Sequence, residues 1–283
     1  MKILVTGYTG QLGHDVVSEG KRNNFKMYGV GSNDLDITVQ QEVNRYVEDL
    51  NPDAIIHCAA YTAVDKAEDD REACWNVNVE GTKNLAEAAK KVGAKFLYVS
   101  TDYVFDGKGE APFKETDQTN PINYYGLTKY EGEKIVQETL DSFIVRISWV
   151  FGLNGKNFIR TMLRLADTNK EVSVVGDQVG SPTYTYDLAK LIIDMIQTEK
   201  YGVYHATNEG FCSWAEFAKE IFKQSDKEVN VNVIPTEDFP TPAARPKNSR
   251  LSKTKLQENG FTRLPKWQDA LSHYLNELKH EVK

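Results

Sequence analysis

The first half of this chain alternates short apolar runs, rich in β-branched and aromatic residues, with stretches of helical period, and few folds accommodate that alternation. KILVTG (2–7) reads as a strand, 11–22 as a helix, FKMYGVG (25–31) as a strand and 39–50 as a helix. AIIHCAA (54–60) is a strand, 71–91 a long helix, KFLYVS (95–100) a strand, 124–139 a helix and FIVRISWVF (143–151) a strand. Strands alternating with helices build βαβ units and a parallel sheet covered on both faces. Unbroken apolar strands such as AIIHCAA suit burial on both sides. The expectation is an α/β fold with a Rossmann-like, doubly wound parallel sheet. Thr38 and Gln41 predict a capping box at the start of the second helix.

The texture changes after about residue 151. NFIRTMLRLA is amphipathic, VSVV is a short strand and GDQVGSPTY is rich in turn residues. Helices are predicted over 187–197 and 214–224, a strand over 201–207, and an irregular segment over 235–250. We therefore expect a main domain over 1–151 and a smaller lobe over 152–283, with elements within about 183–208 returning to the main sheet.

Composition narrows the possible partners. The net charge is −7 and no lysine or arginine block stands out, so nucleic acid is not an expected partner. No apolar stretch approaches the length needed to span a membrane, and the short run Ile3 to Val5 does not read as a signal peptide. Cys58, Cys74 and Cys212 are odd in number and far apart, and the five histidines show no metal-ligand spacing. A reduced, cytoplasmic setting without a structural metal is expected.

TGYTGQLG (6–13) follows the first strand and opens the first helix, giving Gly7, Gly10 and Gly13 at intervals of three. Glycines there allow a tight turn and close approach of backbone to a pyrophosphate, which a helix N-terminus stabilises. An ordinary strand-turn-helix corner is the bland alternative, but the extreme N-terminal position favours a dinucleotide site over 1–151. The second strand ends at Gly31-Ser32-Asn33 with neither an acid nor an arginine, so NADH and NADPH both remain open. Asp34 and Asp36 follow. Asp36 with Ile37 would line the adenine site, unless the segment is only a capped turn.

Ligands of open α/β sheets sit beyond the carboxyl ends of the strands. The third strand ends in Ala59-Ala60-Tyr61-Thr62, small residues beside which a nicotinamide would pass, and the fourth in Ser100-Thr101-Asp102-Tyr103. YYGLTK (124–129) opens the next helix, where Tyr125 and Lys129 share a face and Tyr124 points elsewhere. An ammonium beside a phenol is expected to draw its pKa down from about 10. Thr101, Tyr125 and Lys129 would then form a reducing constellation, with the hydroxyl orienting a carbonyl and the phenol protonating its oxygen. Trp149 and Tyr103 read either as core aromatics or as walls of a sugar site. Asp65, Lys66 and Glu68 read as a helix-start charge cluster, and His57 as a buried strand histidine. Arg245 and Arg250 would either grip a diphosphate or sit in a solvated loop.

TGYTGQLG, AAYTAVDKAE, STDYVFDG and YYGLTK together resemble the extended short-chain dehydrogenase/reductases, and within them the dTDP-4-dehydrorhamnose reductases. ISWVFG, NFIRTMLRLA, GDQVGSPT and RPKNSRL carry that resemblance along nearly the whole chain. It implies NADPH- or NADH-dependent reduction of the C4 ketone of dTDP-4-dehydro-L-rhamnose to dTDP-L-rhamnose, with a dTDP-sugar as partner. Tyr125 would be the proton donor, Lys129 its partner and Thr101 the group that polarises the ketone. Gly10, Gln11 and Leu12 would cradle the pyrophosphate, with Asp36, Ile37, Ala60, Tyr61 and Thr62 along the same site. Asp102 would touch the sugar and Trp149 lie against its ring. Some relatives form magnesium-linked dimers through carboxylates. Tyr186 stands where one of these is expected, so magnesium at an oligomer interface is an open alternative that the sequence does not support, and a monomer or a homodimer is the expectation. A nucleotide-sugar epimerase or dehydratase, and a non-catalytic regulatory subunit on the same fold, are the alternatives. A dehydratase would need a glutamate beside Asp102, and the intact Thr101, Tyr125 and Lys129 set speaks against a regulatory subunit.

Overall fold

The computed structural model describes residues 1–281. Its strands are β1 (2–6), β2 (26–30), β3 (54–57), β4 (95–101), β5 (142–147), β6 (150–151), β7 (171–175), β8 (179–180), β9 (183–184), β10 (202–205), β11 (212–213), β12 (230–234) and β13 (248–249). Its helices are α1 (11–22), α2 (40–50), α3 (71–75), α4 (81–92), α5 (124–139), α6 (158–166), α7 (185–196), α8 (214–224), α9 (254–258) and α10 (267–281).

Six strands form one parallel sheet in the order β10-β5-β4-β3-β1-β2. The chain leaves β1 towards β2 on one side and returns to β3 on the other, which opens a crevice between the carboxyl ends of β1 and β3. Ile3, Leu4, Val5, Ile55 and Ile56 are fully buried, each contributing about 1.5–3 kcal/mol by leaving water. One apolar layer joins α1 and α7 to the sheet through Val16, Val17, Leu188 and Ile192, and Leu256, Phe261 and Leu264 complete it. The opposite layer sets α2 and α4 against it through Val43, Val47, Leu85 and Ala89.

A second core lies in the smaller lobe, where α6, α8 and α10 pack around Phe151, Ile159, Tyr184, Phe217 and Tyr274. Short pairings frame this lobe: β7 with β12, β6 with β9, and β8 between β11 and β13.

Three local expectations are corrected. The capping box at Thr38 is absent. Val39 caps α2 without a side-chain hydrogen bond, and the Thr38 hydroxyl donates instead to Asp36 Oδ1 at 2.7 Å. The helix expected over 71–91 is α3 and α4 joined by a π-helical turn, Asn76–Glu80. The strand expected over 143–151 breaks between β5 and β6, where Trp149 takes φ +50°. The sequence reading assigns nothing to 251–283, where the structure has α9 and α10.

Candidate active site

A cleft of about 770 Å³ covers the carboxyl ends of β1, β3, β4 and β5. Most candidate site residues named from the sequence line it: Gly7, Gly10 to Gly13, Asp36 and Ile37, Ala60 to Thr62, Thr101 to Tyr103, Tyr125, Lys129 and Trp149, whereas Arg245 and Arg250 do not.

The glycine loop divides into two functions. Gly7 has φ +71°, and a Cβ there would meet the Ala59 nitrogen at 2.7 Å, so the turn after β1 lies hard against the end of β3. A Cβ at Gly13 would collide with the Gly7 carbonyl, which makes Gly13 a packing glycine of α1. Gly10 is less crowded, because its backbone is extended and a Cβ would meet the Gly7 oxygen alone, at 3.3 Å, a tight contact that a small shift relieves. Gly10 caps α1 without a side-chain hydrogen bond. That bare N-terminus faces the cleft, and such a terminus suits a pyrophosphate. The Gln11 side chain turns away from it, with Oε1 accepting from the Gly152 nitrogen at 2.9 Å and from Asn157 Nδ2 at 3.2 Å. Asn154 Nδ2 donates to the Thr9 and Gly10 carbonyls at 3.0 and 3.1 Å, so the smaller lobe clasps the loop from outside.

Both acids after β2 are engaged locally. Asp34 Oδ2 accepts from the Gly31 nitrogen at 2.8 Å and Asp36 Oδ1 from the Thr38 nitrogen at 2.9 Å. Ser32 joins Gly31 on the wall of the cleft there, a residue that sequence reasoning passed over.

Helix α5 starts at Asn123, whose side-chain oxygen accepts from the Gly126 nitrogen at 2.8 Å while its amide donates to the Ala244 carbonyl at 2.9 Å. Gly126 permits close approach, since a Cβ there would strike the Tyr103 carbonyl. The inner face of α5 holds Gly126, Lys129, Gly132, Glu133 and Val136, so proximity and polar contact secure this helix more than an apolar stripe does. Tyr125 and Lys129 point into the cleft. Tyr124 does not line it, and its ring lies 4.8 Å beneath the Arg71 guanidinium. The Tyr103 ring meets Tyr125 edge-on at 5.8 Å, and its hydroxyl accepts from Arg245 Nη1 at 3.1 Å. Arg245 Nη2 also reaches Asp65 Oδ2 at 2.7 Å, so Asp65 ties two loops across the rim instead of idling in a charge cluster. Glu68 accepts from the Tyr124 nitrogen at 2.8 Å. Arg250 is turned to Asn248 Oδ1 at 2.9 Å.

The electrostatics differ from the expectation for the phenol. Burial, then Asp102 and Tyr103, push the Tyr125 pKa upward, against a hydrogen bond with the Thr101 side chain. Lys129 Nζ lies 4.0 Å over the Tyr98 ring, and burial lowers its own pKa to about 7. Desolvation outweighs the pairwise attraction that the spacing suggests. Asp102 is also buried, and burial raises it to about 6 against the Ser249 and Thr101 hydroxyls. Its Oδ1 accepts from the Thr101 hydroxyl at 3.0 Å, whereas Oδ2 has no hydrogen-bond partner among the described residues. His57 is a buried neutral imidazole bridging the Thr6 and Thr82 hydroxyls at 2.7 and 3.0 Å, with its pKa lowered to about 3 by burial and Lys129.

Two further residues belong to the site. Asn78, inside the π-helical turn, accepts from the Tyr61 nitrogen at 2.8 Å and donates to the Thr128 hydroxyl at 2.9 Å, joining the end of β3 to α5. A polar residue at a buried phase of a long helix is its one sequence signal. Trp214, the first residue of α8, stacks on Trp149 with ring centroids 3.7 Å apart. Its partner's left-handed backbone costs about 1–2 kcal/mol, and such strain clusters where a site dictates a side chain's direction.

The family model described as the RmlD substrate binding domain matches residues 1–280. A dTDP-4-dehydrorhamnose reductase from Aggregatibacter actinomycetemcomitans is 41% identical, over 96% of this chain and 97% of its own. The chain belongs to the dTDP-4-dehydrorhamnose reductase family. Its similarity to the spore coat polysaccharide biosynthesis protein SpsK of Bacillus subtilis is 39% identity over 98% of this chain and 97% of that one. A solved structure in the family, the Bacillus anthracis dTDP-4-dehydrorhamnose reductase in complex with NADP, has a TM-score of 0.95 and 44% identity, covering 98% of this chain and 99% of that one.

Proposed function

We infer that this family member is an NAD(P)H-dependent oxidoreductase that reduces the C4 ketone of dTDP-4-dehydro-L-rhamnose to dTDP-L-rhamnose. The observation that carries this reading is the convergence, in one cleft, of the bare N-terminus of α1 with Thr101, Tyr125 and Lys129. The reduced nicotinamide supplies the hydride when bound. The backbone of Gly10, Gln11 and Leu12 holds the pyrophosphate, Asp36 and Ile37 border the adenosine, and Ala60, Tyr61 and Thr62 border the nicotinamide half. The fit rests on the open Gly10 cradle and on helix N–H groups that no capping side chain occupies.

Tyr125 gives its proton to the developing alkoxide. Burial keeps that phenol protonated near neutral pH, which suits an acid. Thr101 orients the ketone oxygen, and Lys129 holds the ribose. Asp102 Oδ2, unpartnered among the described residues, accepts from a sugar hydroxyl, and Trp149 forms the wall beneath the ring. The lobe over 152–283 is the mainly nucleotide-sugar-binding part and 1–151 the dinucleotide-binding part. Tyr103 occupies the place beside Asp102 where a dehydratase would need a second acid, which favours simple reduction.

We read the protein as a monomer or a homodimer that does not use bridging magnesium. Tyr186 is faced by Lys190 at 3.9 Å and Arg22 at 5.6 Å, and it stacks on His273 at 4.7 Å, a surround that disfavours a divalent cation. Sedimentation with and without a chelator should give the same mass; a chelator-sensitive dimer would refute this. For the activity, the protein is mixed with NADPH or NADH and the dTDP-4-keto sugar, and the product sugar is identified. Reduced cofactor should be consumed only with the sugar present, in equal amount to dTDP-rhamnose formed.

A further inference from the structure

The face of α5 that carries Tyr125 and Lys129 continues one turn further, to Glu133. Glu133 is 1% exposed and Arg146 on β5 grips both its oxygens, Nε to Oε1 at 2.8 Å and Nη2 to Oε2 at 2.7 Å. The Arg146 guanidinium lies 5.0 Å over the Phe105 ring, with Nη1 3.5 Å from His205 Nε2. Neither member of the pair lines the cleft. A buried ion pair is weak support for stability, because desolvation cancels much of its attraction and apolar replacements are often neutral. Another reason for the pair lies one helical turn away.

Lys129 is 3% exposed, and no carboxylate hydrogen-bonds to it. The titratable groups around it are Tyr125 and Glu133 on its own helix, His57 and Cys58 at the end of β3, Cys74 on α3 and Tyr98 on β4. Near neutral pH the imidazole, the thiols and the phenols are uncharged, since burial lowers His57 to about 3, raises Cys58 to about 12, and raises Cys74, Tyr98 and Tyr125. Among the described residues, Glu133 is thus the carboxylate in that shell.

We propose that Glu133, locked in place by Arg146, is a positioning residue that keeps Lys129 charged in a dry site and directed towards Tyr125 and the cofactor. Burial drives the Lys129 pKa down, and among the influences opposing it Glu133 is the largest. Arg146 holds the carboxylate in place through both of its oxygens. This rests on the proposed role of Lys129, so its test uses a readout that needs neither substrate nor turnover.

Lysine labelled at Cε is followed by NMR through a pH titration of the full chain, with the Lys129 signal assigned by its loss in Lys129→Arg. Glu133→Gln keeps the volume and one oxygen for Arg146. Its Lys129 titration should move down by roughly one to three pH units, the usual effect of losing a neighbouring opposite charge. NADPH affinity should fall at neutral pH and recover on acidification, while Glu133→Asp keeps a titration near that of the wild type. The double variant Glu133→Gln with Arg146→Gln strands no charge. It serves if the single variant does not fold, and a downward shift is again expected, smaller because the Arg146 positive charge is lost as well. A folded Glu133→Gln or double variant whose Lys129 titrates like the wild type overturns the proposal, whatever its activity. A shifted titration in a protein without reductase activity would instead refute the proposed reaction.

Discussion

Tyr124 and Tyr125 are chemically identical neighbours, and only helical phase separates their roles. That phase was legible in YYGLTK, because i and i+4 share a face, and the structure accordingly turns Tyr125 into the cleft and Tyr124 under Arg71. Tyr125→Phe should lower kcat about 10²–10⁴-fold, the usual contribution of one general acid, with cofactor affinity unchanged by titration calorimetry. Tyr124→Phe should leave kcat near the wild-type value, and the reverse ranking would refute the assignment. The direction of the phenol's pKa shift was not legible, because spacing reveals a neighbour but not the depth at which both groups lie. Lys129 turns the same depth into a stability effect. Its folded pKa, about 7, is below the ordinary lysine value of about 10.4. Below about pH 7 both folded and unfolded chains hold the proton, and the folded state carries the full desolvation cost. Between about 7 and 10 only the unfolded chain is protonated, so stability rises with pH as that cost is relieved. Lys129→Met should therefore melt higher than the wild type at pH 6, and the gain should fade towards pH 10. A variant that melts lower at every pH would contradict this.

The glycine loop, as an element, does two jobs that its sequence spacing presents as one. TGYTGQLG announced the strand-turn-helix corner, but all three glycines look alike in a string of letters. Only the fold shows Gly7 and Gly13 pressed hard against backbone while Gly10 has a single, milder contact with the Gly7 oxygen. Gly10→Val should lose NADPH affinity, as read by calorimetric titration, while lowering the melting temperature less than a change at Gly13, because its side chain chiefly blocks the pyrophosphate. Gly13→Ala should lower the melting temperature, since its Cβ meets the Gly7 carbonyl. If Gly10→Val bound NADPH like the wild type, the cradle would lie elsewhere. The regular elements of the first half were readable from period and turn residues, α5 to its last residue. Elements that depend on partners distant in sequence were not. Neither the π-helical turn that points Asn78 at Tyr61 and Thr128 nor the left-handed Trp149 that ends β5 has a local signature. The Thr38 signature misled because the helix is capped one residue later, at Val39, and the Thr38 hydroxyl donates to Asp36.

At the scale of the whole molecule, the cleft is the product of two lobes that hold each other in place. Asn154 and Gln11 join the smaller lobe to the phosphate loop, and Arg245 spans to Asp65 and Tyr103 across the opposite rim. The doubly wound parallel sheet and the gathering of strand-end residues at one edge followed from the βα alternation. The clasp did not, because Asn154 and Arg245 stand in turn-rich segments whose partners lie more than a hundred residues away. Asn154→Ala should weaken NADPH binding while moving the melting temperature little, and equal affinity would dismiss the clasp as incidental. A ligand held by the folded chain alone stabilises it by about 2.7 kcal/mol at a hundred-fold excess over Kd, so NADPH should raise the melting temperature of the wild type. The central claim, that the protein delivers hydride from a dinucleotide in this cleft to C4 of a dTDP-4-keto sugar, is tested most directly by isotope. The wild-type protein is supplied with dTDP-4-dehydro-L-rhamnose and NADPH or NADH dideuterated at the nicotinamide C4, and the product is examined by mass spectrometry and NMR. The account predicts dTDP-rhamnose carrying one deuterium, at C4 of the sugar. A protein that binds the cofactor yet yields no product, or a product with deuterium at another carbon or with none, would contradict it.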